Sequence, residues 1–155
     1  MRDPLIIDAY LHAVYSFTRQ GRCVESSFVP SSIPGASRIE IEGHGAWGIV
    51  SARNPMSRML DNAAKERRDD ELASILQREQ IPRGPAEGRS PDGAWREPSR
   101  IILGVDRTRA LELARRFEQR AVVWGERGRI GVLDCPTERW TIRSIYGLGV
   151  RLTVE

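Results

Sequence analysis

The chain has 155 residues, with 40% apolar and 29% charged residues. That composition suits one globular domain with a buried core and excludes wholesale disorder. The net charge of +3 is mild, and no apolar run approaches the ~18 residues of a membrane span.

Asp3-Pro4 reads as the N-cap and first residue of a helix. Leu5, Ile6, Ala9, Tyr10 and Ala13 give it an apolar face, with His12 at its edge. Acidic residues flank the short apolar run at the start, which is wrong for a secretory signal; a cytoplasmic location is expected. Val14 to Phe17 opens an extended segment. Residues 20–37 carry Gly, Ser and Pro punctuation, so a loop with one short strand near Ser26 to Val29 is expected. Arg38 to Glu42 alternates as an edge strand does, and Gly43-His44-Gly45 is a turn. Ala46 to Ala52 is a buried-type strand. It ends at Arg53-Asn54-Pro55, because proline has no N–H for the ladder.

A second helix is expected over 61–79, capped by Ser57 or Asp61, with Leu60, Ala64, Leu72, Ile75 and Leu76 facing inward. Its charged middle, Lys65 to Glu71, is a solvated face. Residues 81–87 form a strand whose prolines 82 and 85 argue for an edge position. The loop from Gly88 to Ala94 returns the chain into Pro98 to Val105, the strongest strand in the sequence. Asp106 caps a third helix with Ala110, Leu113, Ala114 and Phe117 inward. Ala121 to Trp124 is a short strand, Glu126 to Gly128 a turn, and Arg129 to Leu133 the return. Trp140 to Val154 alternates as a half-exposed strand or hairpin.

From residue 46 the order is strand, helix, strand, strand, helix, strand, the split βαβ pattern. With short, right-handed connections this predicts an α+β, ferredoxin-like two-layer sandwich with a mainly antiparallel sheet. The expectation is a single domain over 1–155. Its core is 46–134, an N-terminal helix and edge strands are added, and 136–155 is a C-terminal strand extension.

That topology carries Asn54, Glu87, Glu97 and Gln119 to one end of the sheet. Trp95 lies on the covering loop, Ser99 just inside the strand, and Trp124 in a core strand. Glu97 and Glu87 are candidates for a general acid/base pair if burial separates them; alternatively Glu97 accepts backbone N–H bonds and pins the hairpin. Glu97 is the candidate catalytic residue. Asn54, Glu87, Trp95, Ser99, Gln119 and Trp124 are the candidate ligand-binding residues, for a small polar ligand such as a nucleotide or an anionic metabolite. Ser99 has neither a Gly-X-Ser-X-Gly elbow nor a histidine placed to activate it. Cys23 and Cys135 have no motif spacing and read as free thiols. His12 and His44 are far apart, so no metal and no other cofactor is expected.

Asn54-Pro55, then Glu97-Pro98-Ser99 before an apolar strand, then Arg116-Phe117-Glu118-Gln119-X-Ala121-X-X-Trp124 resemble a bacterial family, domain of unknown function 3293. The likeness runs from about Asp8-Ala9-Tyr10 to Cys135. It implies Asn54, Glu97, Ser99, Gln119 and Trp124 as characteristic positions. An asparagine-plus-arginine signature of the second helix falls on Asn62 and either Arg67 or Arg68. The family has no established activity to carry over.

A different class of function is a non-enzymatic interaction or regulatory module, in which the C-terminal strand pairs with another chain, including a second copy. Nucleic-acid binding through Arg53, Arg67, Arg68, Arg89, Arg96 and Arg120 is the least expected, since arginines are scattered among 21 acids.

Overall fold

The computed structural model describes residues 4–19, 22–43, 45–53, 60–148 and 152–154. Helix α1 is Pro4–His12, α2 Asn62–Arg78 and α3 Arg107–Arg116. The main strands are β1 Val14–Arg19, β2 Arg22–Ser27, β5 Trp47–Val50, β6 Arg83–Arg89, β7 Arg96–Leu103, β8 Ala121–Glu126 and β9 Arg129–Asp134. Short pieces complete the set: β3 Ser37–Arg38, β4 Ile41–Glu42, β10 Trp140–Ile142, β11 Tyr146–Gly147 and β12 Leu152–Thr153. The caps are the expected ones. Asp61 accepts from the Ala64 N–H at 2.8 Å and Asp106 from the Arg109 N–H at 2.8 Å, each satisfying an amide that the first helical turn leaves without a partner.

The expected ferredoxin-like two-layer sandwich is not what forms. The main sheet has ten strands in the order β10-β9-β8-β5-β7-β6-β1-β2-β11-β3, mostly antiparallel, and it curls into a half-barrel with few helices. The strand–helix–strand–strand–helix–strand order of the middle of the chain is present, its strands side by side as β8-β5-β7-β6. What overturns the two-layer sandwich is the extent and curl of the sheet. The β1–β2 hairpin joins the sheet through β6, and β9 and β10 extend the other side.

Connectivity alone demands the curl. β10 is first in the sheet order and β11 ninth, which in a flat sheet separates them by ~38 Å at ~4.8 Å per strand. Only residues 143–145 join them, and that stretch reaches no further than ~14 Å. The two sides must therefore approach. Backbone bonds from Ile39 N to Ile145 O (2.8 Å) and from Arg143 N to Ile130 O (3.0 Å) fasten the connection across the gap.

Curling gives the sheet two buried faces, so all four residues of β5 are buried. Even-numbered Val50, Ile102, Val122 and Trp124 pack under α2 and α3 with Leu72, Leu76, Leu113 and Phe117. Odd-numbered Trp47, Ile49, Ile101 and Val123 face the inside of the curl with Tyr15, Phe17 and Phe28. Period-two alternation assigns each residue to one of two cores.

Two local expectations also change. β6 is an interior strand between β7 and β1 despite Pro85. The proline is tolerated because the β1 pairing stops one residue short of it, at Phe17↔Ala86. Among the described residues the tail is three separate pieces, β10, β11 and β12, rather than the half-exposed strand or hairpin expected. β11 is hydrogen-bonded to β2 on one side and β3 on the other, and β12 pairs in parallel with β4, so Tyr146–Gly147 offers no open edge. No helix among the described residues is long and apolar enough to cross a membrane.

Candidate functional site

β5 ends, β6 ends, β7 begins and β8 begins at the same end of the half-barrel, as the pairings Val50↔Arg100, Gly88↔Glu97 and Ile49↔Val123 require. α1 packs against β8 and β9 there and leads directly into β1, several strands away. It thus crosses the mouth of the curl. Beneath it lies a cavity of ≈ 470 Å³ lined by α1, β1, the end of β5, the β6–β7 hairpin and the start of β8.

Strand parity decides which side chains enter. Glu97, Ser99 and Ile101 of β7 share the inner face with Gly88 of β6 and with Ile49 and Ser51. Glu97 is 8% exposed. It accepts a hydrogen bond from Ser51 Oγ at 2.7 Å. Ser51 in turn accepts from the Arg53 N–H at 3.2 Å, so the end of β5 is folded around this hydroxyl. Ser99 Oγ donates to the Glu97 carbonyl at 3.2 Å. Gly88 lies opposite Glu97, and a side chain there would reach within 3.6 Å of the Tyr15 ring and 3.8 Å of Trp95.

Gln119 is buried and donates to the Phe117 carbonyl at 3.0 Å. The same carbonyl accepts from Arg68, whose guanidinium also donates to Ala52 O at 2.6 Å and lies 5.7 Å from the Phe117 ring centroid. Arg68, and not the exposed Arg67, therefore ties α2 to the two chain ends that present Ser51 and Gln119.

Two tyrosines complete the wall. Tyr15 Oη donates to the Tyr10 carbonyl at 2.5 Å, fixing the turn from α1 into β1. Burial pushes the Tyr10 phenol well above its ordinary pKa, and the charge of Glu97 pushes it further. Burial likewise raises Tyr15, with Tyr10 and Glu97 adding to it. Both phenols stay protonated beside a carboxylate across the cavity.

The candidates named from sequence divide as follows. Glu97, Ser99, Trp95 and Gln119 line the cavity, Trp95 at the rim and 41% exposed. Glu87 does not. It pairs with Pro98, faces the opposite side of the hairpin, and binds Arg96 at 2.6 Å. The Glu97–Glu87 acid/base pair is thus not assembled, because a shift of one residue reverses the face. Trp124 is fully buried on the helix side of the sheet, away from the cavity. Asn54 lies outside the described residues. The pattern-based reading passed over Ser51, Tyr10, Tyr15 and His12. Ser51 was readable as two residues beyond the inward Ile49. Nothing in the sequence placed α1 over the mouth.

Five of the six arginines weighed for nucleic acid are paired within the protein: Arg53 with Asp69, Arg68 with Glu118, Arg89 with Glu25, Arg96 with Glu87 and Arg120 with Asp134.

Residues 50–122 match the family described as Protein of unknown function (DUF3293). The resemblance read from the motifs is shown over this stretch, which runs from the end of β5 through α2, the β6–β7 hairpin and α3 into β8. No curated protein and no solved structure matches the chain.

Proposed function

We propose that this carrier of the DUF3293 domain is a cytoplasmic small-ligand-binding domain. The ligand occupies the mouth of the half-barrel, and Glu97 is the group that takes its hydrogen bond or proton. One observation carries the reading. Chain segments far apart in sequence deliver Ser51, Glu97, Ser99, Gln119 and Trp95 to a single ≈ 470 Å³ cavity. An apolar concavity with a few convergent polar groups at a barrel mouth is the usual form of a small-molecule site.

Of the two ligand classes expected from sequence, an anionic metabolite finds no arginine or lysine among the described lining residues. The base of a nucleotide finds hydrogen-bond acceptors and apolar walls. With Glu87 on the other face, any proton transfer in the cavity rests on Glu97 alone among the described carboxylates.

A fragment titration followed by amide NMR tests the reading. Shifts confined to Ser51, Gly88, Trp95, Glu97 and Ala121 support it. Shifts confined to the groove at the opposite end, around Arg38 and Arg129, overturn it.

A further inference from the structure

We infer that the cavity takes a flat aromatic ring, laid over Gly88 between Tyr15 and Trp95, and that Gly88 is the residue that makes room for it. This rests on the binding reading above and narrows it to a ligand class and a specificity-determining position.

A glycine inside a strand weakens it, and marks a bulge, a bend, or a close approach by a backbone or a ligand. For the other described strand glycines the close approach is visible. A Cβ at Gly48, Gly84, Gly125, Gly131 or Gly147 would come within 3.1, 3.2, 2.4, 2.1 or 2.6 Å of a neighbouring atom. At Gly125 that neighbour is the Trp47 ring, lying on the backbone. Gly88 differs. Its φ is not positive. The pairing runs through it without a bulge on both flanks, as Glu87↔Pro98, Gly88↔Glu97 and Arg89↔Arg96 toward β7 and as Ser16↔Glu87, Tyr15↔Gly88 and Val14↔Arg89 toward β1. The atoms nearest to its Cβ position are the Tyr15 ring at 3.6 Å and the Trp95 ring at 3.8 Å, both at ordinary contact distance, with no backbone among them. The space that a side chain would take is part of the cavity.

The two rings come from opposite flanks of Gly88, Tyr15 from β1 and Trp95 from the chain entering β7. Both are held before any ligand arrives. Tyr15 donates through Oη to the Tyr10 carbonyl at 2.5 Å and meets Phe28 edge-on, with centroids 6.1 Å apart. Trp95 is fixed through its backbone, whose N–H donates to Ser90 Oγ at 3.0 Å and whose carbonyl accepts from the Ser90 N–H at 3.0 Å. Walls held in place cost little ordering on binding. Among the described residues the Tyr15 ring partner is Phe28 and not Trp95, so the place between Tyr15 and Trp95 is left to the cavity. Ala9, Ala13, Ile49, Ala121 and Val123 make the neighbouring wall apolar. A flat ring over Gly88 reaches both aromatic side chains at normal stacking separations and covers part of Trp95, which is 41% exposed. A puckered ring of the same size is thicker and loses that contact.

Phenol and cyclohexanol, a flat and a puckered ring with the same hydroxyl, are the probes, titrated by amide NMR against the wild-type protein, Gly88→Val and Trp95→Ala. Phenol is expected to shift the amides of Tyr15, Gly88 and Trp95 and to bind about three- to tenfold tighter than cyclohexanol. Gly88→Val should fill the slot and lose phenol while melting no lower than the wild type, and Trp95→Ala should lose the preference for the flat ring. Equal binding of the two probes to the wild-type protein overturns the flat-ring inference while the binding site stands. Phenol affinity unchanged in Gly88→Val overturns the role of Gly88. So does a melting temperature several degrees lower in Gly88→Ala, which would assign the glycine to the bend of the sheet. If Gly88→Val does not fold, Trp95→Ala decides the ligand's shape. If neither probe shifts the cavity amides of the wild-type protein, the binding reading itself fails.

Discussion

Ser51 Oγ lies 2.7 Å from Glu97 Oε1, joining the end of β5 to the start of β7 across 46 positions of sequence. The bond holds a buried carboxylate at the base of the cavity. A hydroxyl donating to an ionised group contributes more than one between neutral groups, about 1.5–3 kcal/mol.

Ser51→Ala and Glu97→Gln should therefore couple. In urea denaturation each single variant is expected to lose stability. The double variant should lose less than the combined single losses, by about 1–3 kcal/mol. Additivity within ~0.5 kcal/mol would show that the two residues do not act on each other.

Arg120 and Asp134 form the second buried relationship. The Arg120 Nε–Asp134 Oδ1 distance is 2.9 Å, with the residues 6% and 5% exposed. Among the described residues Arg120 Nη2 has no hydrogen-bond partner. Arg120→Ala should cost about 3–5 kcal/mol because it takes a close positive partner from a buried carboxylate, and Arg120→Met with Asp134→Leu should regain part of that. A single-variant loss below ~1 kcal/mol would mean the pair is solvated.

Asp134 also predicts the acid limb of stability. Burial alone would raise its carboxyl, but bonds from Thr137 and Arg120 outweigh that and hold it below the ordinary range. Its contribution is then complete above the unfolded value of ~3.9 and disappears as pH falls through the lower folded value. Asp134→Asn should flatten that part of an acid titration of unfolding free energy. An unchanged acid limb would assign the effect to other carboxylates.

The alkaline limb belongs to Cys135 and the tyrosines. Burial pushes the Cys135 thiol up to about 12, while the unfolded chain releases that proton near ~8.5. The folded state then holds a proton that the unfolded state has lost, so stability declines as pH rises from about 8.5. Tyr10 and Tyr15 add to the decline above ~10. Cys135→Ala should remove the first part of the slope. In the native protein a thiol reagent should modify the exposed Cys23 quickly, and Cys135 only after unfolding; two equally fast thiols would contradict the burial.

Truncation at residue 140 should unfold the chain rather than alter its association. The deleted segment supplies β11 from between β2 and β3, together with the buried Ile145, Leu152 and Val154. Three such side chains at about 1.5–3 kcal/mol each are comparable with the whole stability of a domain. A truncated chain with native circular dichroism and an unchanged melting temperature would show that the tail is dispensable.

The sequence by itself determined the helices, the central strands and the end of the sheet where the polar residues gather, but not the β1–β2 hairpin, where a loop with a short strand at 26–29 was expected. Asp61 and Asp106 announce helices α2 and α3 because a short acidic side chain satisfies orphan amides at a helix start. Apolar runs with β-branched residues mark β5, β7 and β8. The chain reverses direction at known places, so Glu97 and Gln119 had to arrive at one end.

Only the tertiary structure decided which face each residue took and what covered it. Face depends on register, which Gly88↔Glu97 sets and which sends Glu87 outward one residue away. It also depends on long-range strand pairing. The place of β1 beside β6 and of β11 beside β2 rests on contacts between segments with no local signal of each other. Those pairings bend the sheet until it has an inside. Once it has one, Trp124 belongs to the helix-side core, and α1 lies across the mouth. Glu97, legible from sequence as an acid at the polar end of the sheet, becomes a buried carboxylate in the wall of a cavity.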